Sequence, residues 1–155
     1  MGLLWCLSAV MLQAARVDTV LVRSAAMNKD VKVVYVLPDK AIGKQACPVV
    51  YLLHGYGGNA RSWVQLKPEL PQMADEKGII FVCPDGKNSW YWDSPENPAY
   101  RYETFVTSEL VKYTDGNYAT IPDRKARAIS GLSMGGTVLC GVLSVIRMCS
   151  VQRAV

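Results

Sequence analysis

The sequence predicts an α/β fold, a mostly parallel sheet with helical crossovers, on three observations. Two short apolar runs, residues 49–53 and 79–83, read as strands buried on both faces. Segments with apolar residues at three- and four-residue spacing alternate with the strands and read as the crossovers. A further strand, residues 127–130, runs into Gly131-Leu132-Ser133-Met134-Gly135, a G-x-S-x-G pattern that marks a sharp turn from strand to helix.

In chain order, residues 17–23 are rich in Val and Leu and predict a first strand. Residues 27–30 are a turn and residues 31–37 a second strand, so the pair forms an antiparallel hairpin at a sheet edge. Residues 38–47 are polar, contain Gly43 and read as a surface loop. Pro48 then leads into the buried strand 49–53, followed by the Gly-rich turn His54-Gly55-Tyr56-Gly57-Gly58-Asn59. Residues 62–76 carry Trp63, Leu66, Leu70 and Met73 at helical spacing, with Pro68 and Pro71 in the middle. The prolines predict a short turn followed by a helix that Gly78 caps. After strand 79–83 come the turn Pro84-Asp85-Gly86 and a loop over 87–95. Residues 102–113 predict a helix through Phe105, Val106, Glu109, Leu110 and Tyr113, and residues 114–121 a turn-rich exit toward the last strand.

Composition bounds the function. A chain of 155 residues, half of them apolar, supports one domain with a real core and excludes a disordered tail. The formal charge of +4 is spread without a concentrated Lys/Arg run, which argues against a nucleic-acid partner. Five cysteines at scattered positions give no disulfide framework, and one histidine without a Cys-x-x-Cys gives no metal site. Residues 1–15 are apolar and end in small residues, like a secretory signal, but lack its basic start. They read as an export signal, which implies a secreted or periplasmic protein, or as an apolar first helix of a cytoplasmic one. They are too short for a stable membrane span.

Chemistry concentrates on two loops. In a G-x-S-x-G turn the serine, here Ser133, is held strained with its hydroxyl exposed, and Gly131 and Gly135 let strand and helix pass closely. The Met134 amide then points at the oxygen of a tetrahedral intermediate. The turn at 54–59 is placed to supply a second amide, from Tyr56 first and Gly57 second. His54, Gly55, Gly57 and Gly58 shape that loop; the place of His54 on it argues for an anchor and against a general base. Trp90, Tyr91 and Trp92 either line a substrate crevice or pack back on their own domain.

With these residues in view, the sequence resembles the esterase D-type branch of the alpha/beta-hydrolases. That branch includes S-formylglutathione hydrolases, mycolyltransferases, tributyrin-type esterases, and feruloyl and acetylxylan esterases. The resemblance rests on residues 53–58, on Pro84-Asp85-Gly86 with Ser89-Trp90-Tyr91, on Glu109-Leu110, and on residues 131–136. It implies an alpha/beta-hydrolase fold over residues 16–136, with Ser133 as nucleophile and Tyr56 and Met134 as backbone oxyanion donors. It also implies carboxylic-ester or thioester substrates, small or glycan-linked and leaning toward plant or carbohydrate esters, and no cofactor.

In this fold the acid and the histidine follow the serine in chain order. Residues 134–155 contain no His, Asp or Glu, so the sequence predicts a domain truncated after the elbow. The resemblance breaks at Thr137. Read one base out of phase, permitted codons for residues 137–155 can encode His-Gly-Ala-Leu-Trp-Gly-Ala-Leu-Ser-His-Pro-Asp, as the family continues. The expectation for 137–155 is a frameshifted tail. The rival readings are an inert fragment or non-catalytic binding protein, and an acyltransferase or thioester hydrolase of the same fold. The sequence sets no oligomeric state.

Overall fold

The computed structural model describes residues 15–137 and the strand Arg147–Met148. The expected export signal and most of the tail lie outside the described residues. The elements are β1 (Arg16–Ser24), β2 (Lys29–Leu37), α1 (Asp39–Ile42), β3 (Val49–Leu53), α2 (Ser62–Leu66), α3 (Leu70–Lys77) and β4 (Ile80–Pro84). There follow α4 (Tyr102–Thr104), a π-helical turn (Phe105–Glu109), α5 (Leu110–Asn117), β5 (Arg127–Gly131), α6 (Met134–Thr137) and β6 (Arg147–Met148).

The sheet order is β1-β2-β4-β3-β5-β6. The β1–β2 hairpin is antiparallel and lies at the edge, as its sequence predicts, and β2 also runs antiparallel to β4. The remaining neighbours, β4–β3, β3–β5 and β5–β6, are parallel. The first two of these parallel pairs belong to the run that ends in the serine turn, and β6 joins the sheet after it. A mixed α/β sheet with helices on both faces is the alpha/beta-hydrolase arrangement that the resemblance implies.

Strand alternation divides the core into two layers. Val33, Tyr35, Val49, Tyr51, Leu53, Val82 and Ile129 share one face and pack with Phe105, Val106 and Leu110 of the long helix. Val34, Val36, Leu52, Phe81 and Cys83 point the other way, against Leu70 and Ala74 of α3. Burial raises the Cys83 thiol to about 12, so it stays an uncharged packing group.

Two loop expectations are corrected. Residues 38–47 contain one helical turn, α1, whose first amide, that of Asp39, donates to Asp75 Oδ1 at 2.8 Å. The helix beginning at Tyr102 runs on to Asn117 and does not exit at Thr114. Thr114 Oγ1 donates to the Leu110 carbonyl at 2.7 Å and faces Tyr35 Oη at 2.9 Å, so a polar residue is satisfied inside the last turns. The π turn has a visible consequence: Glu109, at its end, accepts from Ser24 Oγ at 2.6 Å and the Ala26 amide at 2.8 Å. That carboxylate clamps the edge hairpin to the long helix.

The serine turn depends on close backbone passage. A Cβ on Gly131 would lie 2.4 Å from the Gly135 carbonyl group, and one on Gly135 would lie 2.6 Å from the Leu53 carbonyl oxygen. Gly116 in α5 has open space around it. Gly135→Ala is therefore expected to destabilise the fold by about 1–3 kcal/mol, and Gly116→Ala to stabilise it by roughly 0.5–1 kcal/mol. Urea unfolding of the two variants measures both signs.

Candidate active site

β5 ends at Gly131 and α6 starts at Met134, so two residues make the whole turn. Ser133 has φ +47°, a left-handed conformation that costs a non-glycine residue about 1 kcal/mol or more. The surrounding bonds hold it there. Leu132 N donates to the Leu53 carbonyl at 3.1 Å, Gly135 N to the Leu132 carbonyl and Gly136 N to the Ser133 carbonyl, both at 2.8 Å. Trp63 Nε1 reaches the same Leu53 carbonyl at 3.0 Å and ties α2 to the end of β3. The Ser133 side is exposed, while Met134 is fully buried and anchors α6 in the core. At the first position of α6 the Met134 amide has no intrahelical acceptor.

The turn after β3 lies against this elbow. A Cβ on Gly55 would come 3.4 Å from the Leu132 carbonyl oxygen and 3.7 Å from Ser133 Cβ, so the glycine lets the loop close on the serine. Gly58 N donates back to the Gly55 carbonyl at 3.1 Å. Gly57, at φ +76°, donates its amide to Asn88 Oδ1 at 2.8 Å. That bond commits the Gly57 amide, the second-choice oxyanion donor, to the neighbouring loop. Tyr56 is exposed, and its ring centroid stands 6.3 Å from that of Trp90.

His54 is 1% exposed. Its Nε2 accepts from the Gly86 amide at 2.9 Å, and its Nδ1 lies 2.7 Å from the Gly55 carbonyl, which can only accept. The partners thus assign the proton to Nδ1. Asp85 Oδ1, at 3.7 Å from Nε2, is too far for a hydrogen bond. With both nitrogens engaged and the ring buried, His54 anchors the loop.

The aromatic loop separates by position. Trp90 and Trp92 are 49% and 54% exposed, whereas Tyr91 is completely buried. The expectation that Tyr91 lines the crevice is therefore corrected. Its hydroxyl accepts from the His54 amide at 3.0 Å and its ring lies over Gly86, where a Cβ would fall 2.2 Å from a ring carbon. Burial pushes its phenol pKa far up. The loop carries three left-handed non-glycine residues, Lys87, Trp90 and Tyr91. Ser89 pins it, donating from Oγ to the Gly86 carbonyl at 2.5 Å and accepting the Tyr91 amide at 3.1 Å.

Asn88 was not singled out by sequence reasoning, and Gly86 and Ser89 entered it only as part of the motif that carries the resemblance, with no structural role. Positive φ at bulky residues leaves no periodic trace, and the glycine facing an aromatic five positions on is the one signal available. Among the described residues no group of three or more His, Cys, Asp or Glu could hold a metal ion. No described helix is long and apolar enough to cross a membrane.

The Esterase family matches residues 24–143. An acetyl esterase of Caldicellulosiruptor saccharolyticus is 28% identical over 121 residues, which cover 73% of this chain and 45% of that protein. An endo-1,4-beta-xylanase/feruloyl esterase of Xylanibacter ruminicola is 38% identical over 103 residues, covering 61% of this chain and 14% of that one. Among solved structures, an S-formylglutathione hydrolase from Agrobacterium tumefaciens superposes with a TM-score of 0.69 at 26% identity, over 81% of this chain and 53% of that one. The chain spans less than half the length of these two curated relatives. The strained serine turn, the glycine loop closed against it and the family match over residues 24–143 lead to one conclusion: the chain belongs to the Esterase family, with an alpha/beta-hydrolase fold.

Proposed function

We propose that the chain carries the nucleophile and the oxyanion hole of a serine carboxylic-ester hydrolase. The observation that supports this most is Ser133, exposed and held at φ +47° on a turn whose glycines admit no side chain. A strained, exposed serine against a glycine loop serves acyl transfer and has no packing purpose.

In this reading Ser133 Oγ bonds to the ester carbonyl carbon and gives up its proton. The carbonyl oxygen becomes an oxyanion that accepts from the Tyr56 and Met134 amides. The C–O bond to the alcohol then breaks, the alcohol leaves with a proton, and water releases the acid from the acyl-enzyme. The proton acceptor is a group other than His54, whose nitrogens are both engaged. No step calls for a metal or an organic cofactor.

The exposed rings of Tyr56, Trp90 and Trp92 favour an ester with a flat or ring-bearing group. A phenolic or sugar ester fits that wall, and two relatives carry acetyl esterase and feruloyl esterase in their names.

In a form of the protein that also carries the acid and histidine this fold places after the serine, Ser133→Ala is expected to lower turnover of p-nitrophenyl acetate by about a thousandfold or more and to abolish labelling by a fluorophosphonate, with the fold unchanged by circular dichroism. Equal turnover or labelling in wild type and variant would contradict the assignment, as would the absence of both in the wild type. Trp90→Ala and Trp92→Ala are expected to raise KM for methyl ferulate by about 2–10-fold each while leaving p-nitrophenyl acetate little changed. Comparing the two substrates checks the ring-binding role.

A further inference from the structure

Beside the 86–91 loop lies a cavity of about 590 Å³ that the ester chemistry above does not use. Its charged lining comes from two segments: Lys29, Asp30 and Lys32 of β2, and Asp85 and Lys87 of the turn after β4. Tyr100 and Tyr102 form its aromatic wall.

Both carboxylates in this lining are already matched. Asp85, buried, takes the Lys87 ammonium at 2.8 Å and the Lys87 amide at 3.0 Å. Asp30 faces Arg23 Nη1 at 3.5 Å. Lys29 and Lys32 are thus the cations left over. Lys29 donates only to a neutral carbonyl, that of Ala99, at 2.5 Å, and its Nζ lies 4.7 Å from the Tyr102 ring centroid and 5.1 Å from that of Tyr100. Burial first, and then the charge on Lys87, lower the Lys29 pKa, with Asp85 pulling the other way. With three lysines against two carboxylates in the lining, the cavity carries excess positive charge that an incoming anion offsets. Tyr100 keeps 37% of its surface exposed beside these ammonium groups and offers a face to a ring.

We propose that this cavity is a binding site for a carboxylate carried on a ring, with the acid on Lys29 and Lys32 and the ring against Tyr100. Sugar acids and aromatic acids share that chemistry. Asn88 lines the same cavity and holds the Gly57 amide, so an occupant sits one residue away from the loop that closes on Ser133. Binding here does not require turnover, so its failure is separate from a failure of the ester-hydrolase reading.

The test is an NMR titration of the 155-residue chain with sodium glucuronate and with sodium benzoate, and with glucose and benzamide as uncharged partners. One or both acids are expected to shift the resonances of residues 29–32, 87–88 and 100, and the uncharged compounds to shift none; which acid binds tighter distinguishes a sugar from an aromatic ligand. Lys32→Gln and Lys29→Gln are each expected to weaken binding about fivefold, the upper end for an exposed charge pair, and raised salt to weaken it further. Lys112→Gln, on the exposed side of α5, serves as the control and is expected to change nothing. Inorganic phosphate binding as tightly as either acid would replace the ring-carboxylate proposal with a bare anion site. No shift with either acid, equal shifts with the uncharged partners, or equal losses in the Lys112 variant would overturn the proposal.

Discussion

The ring of His54 joins the two loops that face the serine turn, and the geometry of the site follows from that joint. Its Nε2 holds the Gly86 amide, its Nδ1 holds the Gly55 carbonyl, and its own amide holds the Tyr91 hydroxyl. The bonds to the Gly86 amide and the Tyr91 hydroxyl are buried and the one to the Gly55 carbonyl is partly buried; an unmatched polar group in such a place costs about 1–3 kcal/mol. The loop after β3 and the loop after β4 are consequently fixed to each other before any ligand arrives.

From that joint the constraint spreads in two directions. Toward the elbow, Gly55 comes to rest against Leu132 and Ser133, and the Leu53 carbonyl gathers Leu132 N and Trp63 Nε1. Toward the surface, Tyr91 fills the space over Gly86, and the loop that brings it there takes left-handed conformations at Lys87, Trp90 and Tyr91. That turn puts Asn88 against the Gly57 amide and Trp90 beside Tyr56. The strain at Ser133 is held by the same framework, since the strand and helix around it meet through glycines packed on β3. On the proposed ester-hydrolase reading, a preorganised site of this kind keeps its amides aimed without further movement, which is where most oxyanion stabilisation originates.

Much of the fold was legible in the sequence because it is periodic. The apolar runs at 49–53 and 79–83 became the central β3 and β4, and the apolar stretch 31–37 became the two-faced β2. Pro68 lies between α2 and α3, Pro71 sits in the first turn of α3, and Gly78 takes φ +62° at the end of α3. The end of α5 was hidden because Thr114 satisfies itself on Leu110, a tertiary and local match that turn propensity does not register. At the site, the elbow and the anchoring role of His54 could be read from residue type and spacing. The burial of Tyr91 could not. Three adjacent aromatics look alike in sequence, and only the contact with Gly86 and the His54 amide decides which one turns inward.

The account rests on His54 being a neutral strut with its proton on Nδ1. The chain has one histidine, so a two-bond 1H–15N correlation spectrum shows a single imidazole without assignment work. The account predicts a protonated Nδ1 bonded to the Gly55 carbonyl and an unprotonated Nε2 accepting from Gly86. A proton on Nε2 would turn the ring toward Asp85, 3.7 Å away, release the Gly86 amide and contradict the account.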